Sequence, residues 1–147
     1  MAGCVGLLLA AGSASRFGSD KLLHLLPDGE PIAVTAARHL LAAVPECIAV
    51  VRSLGHPLAA KLREAGCRVE ACARADEGMG VSLACAVRAA GPGRDYLVAL
   101  ADMPFIRPST ITAVREAMES GVRLVAPYFR ARRGHPVGFA AEFYEQL

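Results

Sequence analysis

Lys21 ends a loop of small residues that reads Leu9-Ala10-Ala11-Gly12-Ser13-Ala14-Ser15-Arg16-Phe17-Gly18-Ser19-Asp20-Lys21-Leu22. Two glycines and several hydroxyls let such a loop turn its backbone N–H groups toward a bound anion. Small side chains let a phosphate approach the main chain, and Arg16 and Lys21 offset its charge. The chain carries 14 Arg but only two Lys, Lys21 and Lys61. A compact ammonium suits a point contact with a transferring phosphoryl group, where a guanidinium would form a fixed fork. The chemistry expected of the loop is therefore the holding of a nucleoside triphosphate. It is not a Walker loop, because five residues separate Gly12 from Gly18 and Lys21 precedes Leu22. The dinucleotide pattern of three glycines is absent as well.

Leu100-Ala101-Asp102-Met103-Pro104 is the second site of potential chemistry. Asp102 follows an apolar strand, and Pro104 has no N–H with which to continue a ladder. The carboxylate then sits where the sheet ends, the place where open α/β sheets bind ligands. Mg²⁺ takes one or two carboxylates together with substrate phosphates and water, so Asp102 is the candidate metal ligand. The competing reading is a cap on the helix that starts near Pro108, but six residues is too far for an N-cap.

Two further segments are candidates. Glu77-Gly78-Met79-Gly80-Val81-Ser82-Leu83 opens a helix. Its glycines permit close approach of a ligand, and Ser82 either reaches the base or ribose or caps the helix. Asp76 is a ribose or more distant candidate. Arg132-Arg133-Gly134-His135-Pro136-Val137 places two guanidiniums before a turn. They either hold a phosphate on the second substrate or form a solvated charged turn, and His135 is a substrate contact or a turn residue. His24, His39 and His56 have no partners by spacing and read as surface or helix-face residues.

The elements that must position these residues alternate. Val5–Ala10, Cys47–Val51, Arg68–Cys72, Tyr96–Ala101, Arg123–Pro127 and Pro136–Phe139 read as strands. Ile32–Ala43, Pro57–Ala65, Met79–Ala90 and Pro108–Ser120 read as helices, and another begins at Ala140. Continuous apolar strands between helices predict an α/β fold with a mainly parallel sheet covered on both faces.

The pattern L-A-x-G-x-S-x-R-x-G-x-x-K is met at Leu9, Ala10, Gly12, Ser15, Arg16, Gly18 and Lys21. It resembles the signature of the MobA-like nucleotidyltransferases. The Gly-Met-x-x-Ser-Leu and Gly-His-Pro-Val stretches are similar to those of the molybdenum-cofactor cytidylyltransferases within that group. The resemblance implies a Rossmann-like three-layer sandwich of the nucleotide-diphospho-sugar transferase type, with Asp-Met-Pro as its magnesium motif. It implies transfer of CMP from CTP to the terminal phosphate of molybdopterin, with release of pyrophosphate, and a molybdoenzyme as a partner. Lys21, Arg16 and Asp102 would be catalytic. Leu9, Ala10, Ala11, Gly12, Ser13, Ser15, Asp76, Gly78 and Ser82 would bind nucleotide, and Arg133, Gly134 and His135 the acceptor. Ala11 stands where guanylyl-transferring relatives tend to carry Gly. The alternatives are a transferase acting on a sugar phosphate or another small acceptor, and a non-catalytic protein of the same fold that binds and delivers cofactor.

Length and composition fit one domain of 147 residues. The resemblance suggests that it stops short of the family's C-terminal elements. A net charge of +2 argues for neither nucleic acid nor a membrane surface, and no apolar stretch is long enough to span a bilayer. Five cysteines, none spaced C-x-x-C, read as buried hydrophobes in a reducing, cytoplasmic setting rather than a zinc site or disulfide framework.

Overall fold

Six consecutive residues, Cys4–Leu9, form β1, and from Val5 onward every side chain is buried. Such a strand needs helices on both its faces, and the rest of the chain supplies them. The structure is a computed structural model that describes residues 3–11 and 18–147. After β1 come a 3₁₀ helix at Gly18–Leu23, α1 at Ile32–Ala43, β2 at Cys47–Val51, α2 at Pro57–Ala65 and β3 at Arg68–Ala71. A 3₁₀ turn at Ala75–Glu77 leads into α3 at Met79–Ala90, followed by β4 at Asp95–Leu100 and α4 at Pro108–Glu119. The remaining strands are β5 at Leu124–Val125, β6 at Tyr128–Phe129, β7 at Arg132–Arg133 and β8 at Val137–Phe139. The segment expected to begin a helix at Ala140 is a 3₁₀ helix, Ala141–Gln146.

The sheet runs β3-β2-β1-β4-β8-β5. β1 pairs in parallel with β2 and β4, and β2 pairs in parallel with β3. β8 is antiparallel to both β4 and β5. This is the expected α/β three-layer arrangement, with one reversed strand that the sequence pattern did not distinguish.

Alternation along the strands divides the core in two. Leu8 and Ala10 of the first strand and its exit, with Ala49, Val51, Leu97 and Ala99, face α1, α2 and α4. Val5, Leu7, Leu9 and Ala11, with Ile48, Val50, Tyr96 and Val98, face the α3 side. Gly6 lies in the middle of β1 because α1 packs close against it. A Cβ there would stand 2.9 Å from Leu40 Cδ2, Leu40 Cγ and Val44 Cγ2.

The helix limits follow local chemistry. Pro57 and Pro108 occupy first turns, where a missing N–H is harmless. Gly66 ends α2 at φ 113°, a left-handed conformation that suits glycine. His56 caps α2: its Nδ1 accepts from the Leu58 N–H at 3.1 Å. His39 donates from Nδ1 to the Ile106 carbonyl at 3.1 Å. Both histidines, expected to lack partners, therefore position backbone.

The cysteines correct one expectation. Cys72 and Cys85 are joined by a disulfide, while Cys4, Cys47 and Cys67 are free thiols. Cys72 follows β3 and Cys85 lies on α3, so the fold brings together residues that sequence spacing keeps 13 apart. The bridge closes the loop that carries Asp76, Gly78 and Ser82. A cross-link closing a loop of this size stabilises the fold by roughly 3 kcal/mol, chiefly by restricting the unfolded chain. Adding a dithiol reductant should lower the denaturation midpoint of the wild type accordingly. The midpoint of a Cys72→Ala/Cys85→Ala variant should not respond. Equal responses of the two proteins would show that the bridge adds no stability.

Candidate active site

The parallel strands all end at one edge of the sheet, and backbone hydrogen bonds fix how far each reaches. Ala10 N–H donates to the Val50 carbonyl at 2.8 Å, Ala101 N–H to Leu9 at 3.1 Å, and Cys72 N–H to Val51 at 2.8 Å. The chain beyond β1, β2, β3 and β4 therefore leaves the sheet side by side. That edge carries Leu9, Ala10 and Ala11, then Asp76 and Gly78, then Asp102.

Leu9, Ala10 and Ala11 bury their side chains in the core, so only their main chain is available to a ligand. Gly12, Ser13, Ser15 and Arg16 lie outside the described residues. Lys21 sits in the 3₁₀ helix Gly18–Leu23. Its neighbour Leu22 is buried in the core formed with α1 and α2, while Lys21 itself is exposed. One anchored apolar residue thus turns the adjacent ammonium outward.

Asp102 is exposed in the turn after β4, which is closed by Met103 N–H donating to the Leu100 carbonyl at 3.1 Å. Pro104 beyond it is buried. Neither Lys21 nor Asp102 takes part in an ion pair among the described residues. Their charges are available to a substrate.

Asp76 is exposed in the turn before α3, and Glu77 beside it pairs with Arg74 at 2.7 Å. Gly78 stands at φ 134°, ψ 165°, a conformation open to glycine and to few other residues. Ser82 does not cap α3. The N-cap is Gly78, and Ser82 is only 4% exposed within the first turns of the helix.

The acceptor candidates arrive from the other side. β6 and β7 form a hairpin that pairs Tyr128 with Arg133 and Phe129 with Arg132. Gly134 N–H closes its base on the Pro127 carbonyl at 2.7 Å. The chain then enters β8 across a cis His135–Pro136 bond. Antiparallel pairing of Val137 with Val98 carries His135 back toward the end of β4. Burial lowers the His135 pKa from its ordinary 6.5; Arg133 lowers it further, and Asp102 opposes them. All three groups thus share one electrostatic neighbourhood.

A small cavity of about 180 Å³ adjoins the edge, lined by Ala10, Val51, Arg52, Ser53, His56 and Leu58. Sequence reading passed over Arg52 and Ser53. The signal that was present is their place directly after an apolar strand, where the sheet presents its ligands.

A triphosphate-sized anion could meet main-chain amides, an ammonium and a carboxylate along this edge, a set suited to nucleotidyl transfer. The chain belongs to the MobA-like nucleotidyltransferase family: residues 6–147 match the MobA-like NTP transferase domain. It is similar to the bifunctional protein GlmU of Dinoroseobacter shibae, 39% identical over 132 residues, which cover 85% of this chain and 29% of that protein. The chain thus spans less than a third of that curated relative. Among solved structures it resembles Rv0371c of Mycobacterium tuberculosis H37Rv, with a TM-score of 0.79 at 21% identity over 97% of this chain and 74% of the other. A manganese complex of that protein aligns at a TM-score of 0.75 and 19% identity, covering 99% and 75% of the two chains. A CTP complex of CMP:2-keto-3-deoxy-manno-octonic acid synthetase aligns at 0.73 and 12%, covering 99% and 77%.

The depressed His135 pKa has a consequence for stability. The unfolded chain takes up a proton near pH 6.5, while the folded chain resists doing so until the pH is lower. Stability is therefore fully present above about pH 6.5 and is lost as pH falls toward the folded value. Melting temperatures between pH 7.5 and pH 5 should fall more steeply for wild type than for His135→Gln. Parallel profiles would remove His135 from the acid response.

Proposed function

We propose that this chain transfers CMP from CTP to the terminal phosphate of a molybdopterin-type acceptor, releasing pyrophosphate. The observation that carries the reading is the convergence, at one sheet edge, of the main chain of Leu9–Ala11, Asp102, and the Arg133–His135 segment in a member of this family. The acceptor phosphate attacks the α-phosphorus of CTP in line. A new P–O bond forms as the bond to pyrophosphate breaks, and no protein nucleophile is required. Catalysis is then positioning and charge stabilisation. Lys21 faces the α-phosphate and its developing charge, Arg16 and the loop amides hold the β- and γ-phosphates, and Arg133, Gly134 and His135 receive the acceptor. Asp76 and Gly78 border the base and ribose, whereas Ser82, expected to join them, is buried in α3.

Asp102 fits a hard divalent cation. It is an exposed carboxylate with no ion-pair partner among the described residues. No group of three His, Cys, Asp or Glu that could hold an ion unaided occurs among those residues, which suits Mg²⁺ completed by phosphate oxygens and water. Such an ion would neutralise charge on the phosphates. A divalent ion is in keeping with the mycobacterial neighbour, which has been crystallised as a manganese complex.

A sugar phosphate or another small acceptor is the second reading, because the family match names no acceptor. Pyrophosphate release measured with CTP and either molybdopterin or a sugar 1-phosphate separates the two. Absence of release with every nucleotide and acceptor would favour a delivery protein.

Lys21→Ala should cut turnover by about 10²–10³, the scale of removing one donor to developing charge, with an unchanged melting temperature. Normal turnover would exclude Lys21 from the mechanism. Asp102→Asn should lose most metal-dependent activity, because the amide keeps the shape but not the charge. An unaltered Mg²⁺ titration would show that Asp102 holds no ion.

The Ala11 methyl, expected to narrow the base slot, is packed in the core, so the main chain of Ala11 and not its side chain borders the nucleotide. The ratio of kcat/KM for CTP and GTP tests the base directly, and a preference for GTP would overturn the cytidylyl assignment.

A further inference from the structure

Two aromatic side chains stand uncovered: Phe105, three residues after Asp102, is 79% exposed, and Tyr128 is 69% exposed. Both belong to the exposed large hydrophobics, in a chain with five Phe, three Tyr and no Trp.

Their exposure is built into the backbone. Phe105 lies between Pro104, which is buried, and Ile106, whose carbonyl accepts from His39. The loop is held on both sides of the outward ring. Tyr128 belongs to the β6–β7 hairpin, whose base is closed by Gly134 and Pro127. At its tip, Arg130 and Ala131 have φ of 52° and 64°. A two-residue turn with both φ values positive favours Asn-Gly or Gly-Gly. Arg-Ala pays a conformational cost there, which is tolerated where surrounding structure or function imposes the shape. Tyr128 is the cross-strand partner of Arg133, so the two side chains share one face of the hairpin. Antiparallel pairing of Val137 with Val98 carries the chain after Arg133 back toward the end of β4, the edge from which Asp102 projects.

We propose that Phe105 and Tyr128 are specificity-determining residues for the acceptor, presenting ring faces to a flat heterocycle that carries a phosphate, while Arg133 takes the phosphate. The inference rests on the nucleotidyltransferase reading for its reaction but concerns only how the acceptor binds. A flat heterocycle gains from stacking on an exposed ring. A ringless phosphate gains only from Arg133. This chemistry favours the ring-bearing acceptor over a sugar phosphate. Phe105 follows Asp102 by three residues and Tyr128 stands opposite Arg133, and rings set beside charges in this way suit a small charged ligand better than a protein partner.

The test is equilibrium binding of two probes to the full chain: a pterin monophosphate, followed by quenching of its fluorescence, and glycerol 3-phosphate, followed by calorimetry. Phe105→Ala and Tyr128→Ala should each weaken pterin monophosphate binding by about tenfold, the scale of losing one stacking platform. Tyr128→Phe should restore both affinity and quenching. Glycerol 3-phosphate should bind all three variants as it binds wild type, whereas Arg133→Ala should weaken both probes. Melting temperatures should stay at the wild-type value. Three results would overturn the proposal: no binding of pterin monophosphate to wild type, equal binding by both alanine variants (as expected if the aromatics serve a protein partner), or equal loss of both probes. CTP-dependent pyrophosphate release is read separately. Its absence would sink the catalytic reading and leave the binding result standing.

Discussion

The site depends on the level at which the strands beside β1 stop. Ala10 N–H bonded to the Val50 carbonyl and Ala101 N–H bonded to the Leu9 carbonyl are the last ladder contacts on either side of β1. Parallel pairing from Cys4–Asp95 to Leu9–Leu100 sets that level without a slip. A one-residue change of register would turn Leu7 and Leu9 toward the wrong helix layer and would carry Asp102 away from the Ala11 main chain. The apolar side chains of the central strands therefore do more than stabilise the core. Their alternation fixes the register that brings an ammonium-bearing loop and a carboxylate-bearing turn to one edge.

The reversed strand adds what a purely parallel sheet could not. β8 runs antiparallel between β4 and β5, so the chain enters it from the edge where the other strands leave. Everything just before β8, namely the hairpin, Gly134 and His135, is thereby delivered to the same edge as Asp102. Two classes of group meet there from opposite chain directions, exits after parallel strands and an entry to an antiparallel strand, which under the proposed function would face nucleotide and acceptor respectively. At the opposite end of the sheet, Asp95 accepts from the Ala141 N–H at 2.9 Å and fixes the exit from β8. The Arg94–Glu46 pair, which lowers the Glu46 pKa through its hydrogen bonds, ties the start of β4 to the segment before β2.

Much of this was legible in the residues because each signal was local. Pro57 and Pro108 marked helix starts, Gly66 and Gly91 marked ends, and runs such as Cys47–Val51 could only be strands buried on both faces. What stayed hidden depended on distant partners or lacked its usual signal. The β6–β7 turn is made by Arg130 and Ala131, neither of which announces a left-handed turn. The bridge between Cys72 and Cys85 follows from the packing of α3 beside the end of β3, not from spacing. The capping by His56 and the hold of His39 on Ile106 need the backbone they bind. For the candidate site, the apolar strand before Asp102 foretold its place at the sheet end. Nothing in the sequence foretold that Ser82 would be buried or that Arg52 and Ser53 would line a cavity.

The charges explain why this edge can select a substrate without a protein nucleophile. Several arginines and acids are paired with one another, as in Arg38–Glu30, Arg94–Glu46 and Arg115–Glu119. Lys21 and Asp102 have no such partner among the described residues, and both are exposed. In water each charge is well solvated and the two interact weakly. A triphosphate laid along the main chain of Leu9–Ala11 would displace that water and meet both charges at once, where lower polarity strengthens every contact. The affinity of such an edge comes from the substrate completing it. Under the proposed function, the discrimination between acceptors would then fall to groups with shape rather than charge, the exposed rings of Phe105 and Tyr128.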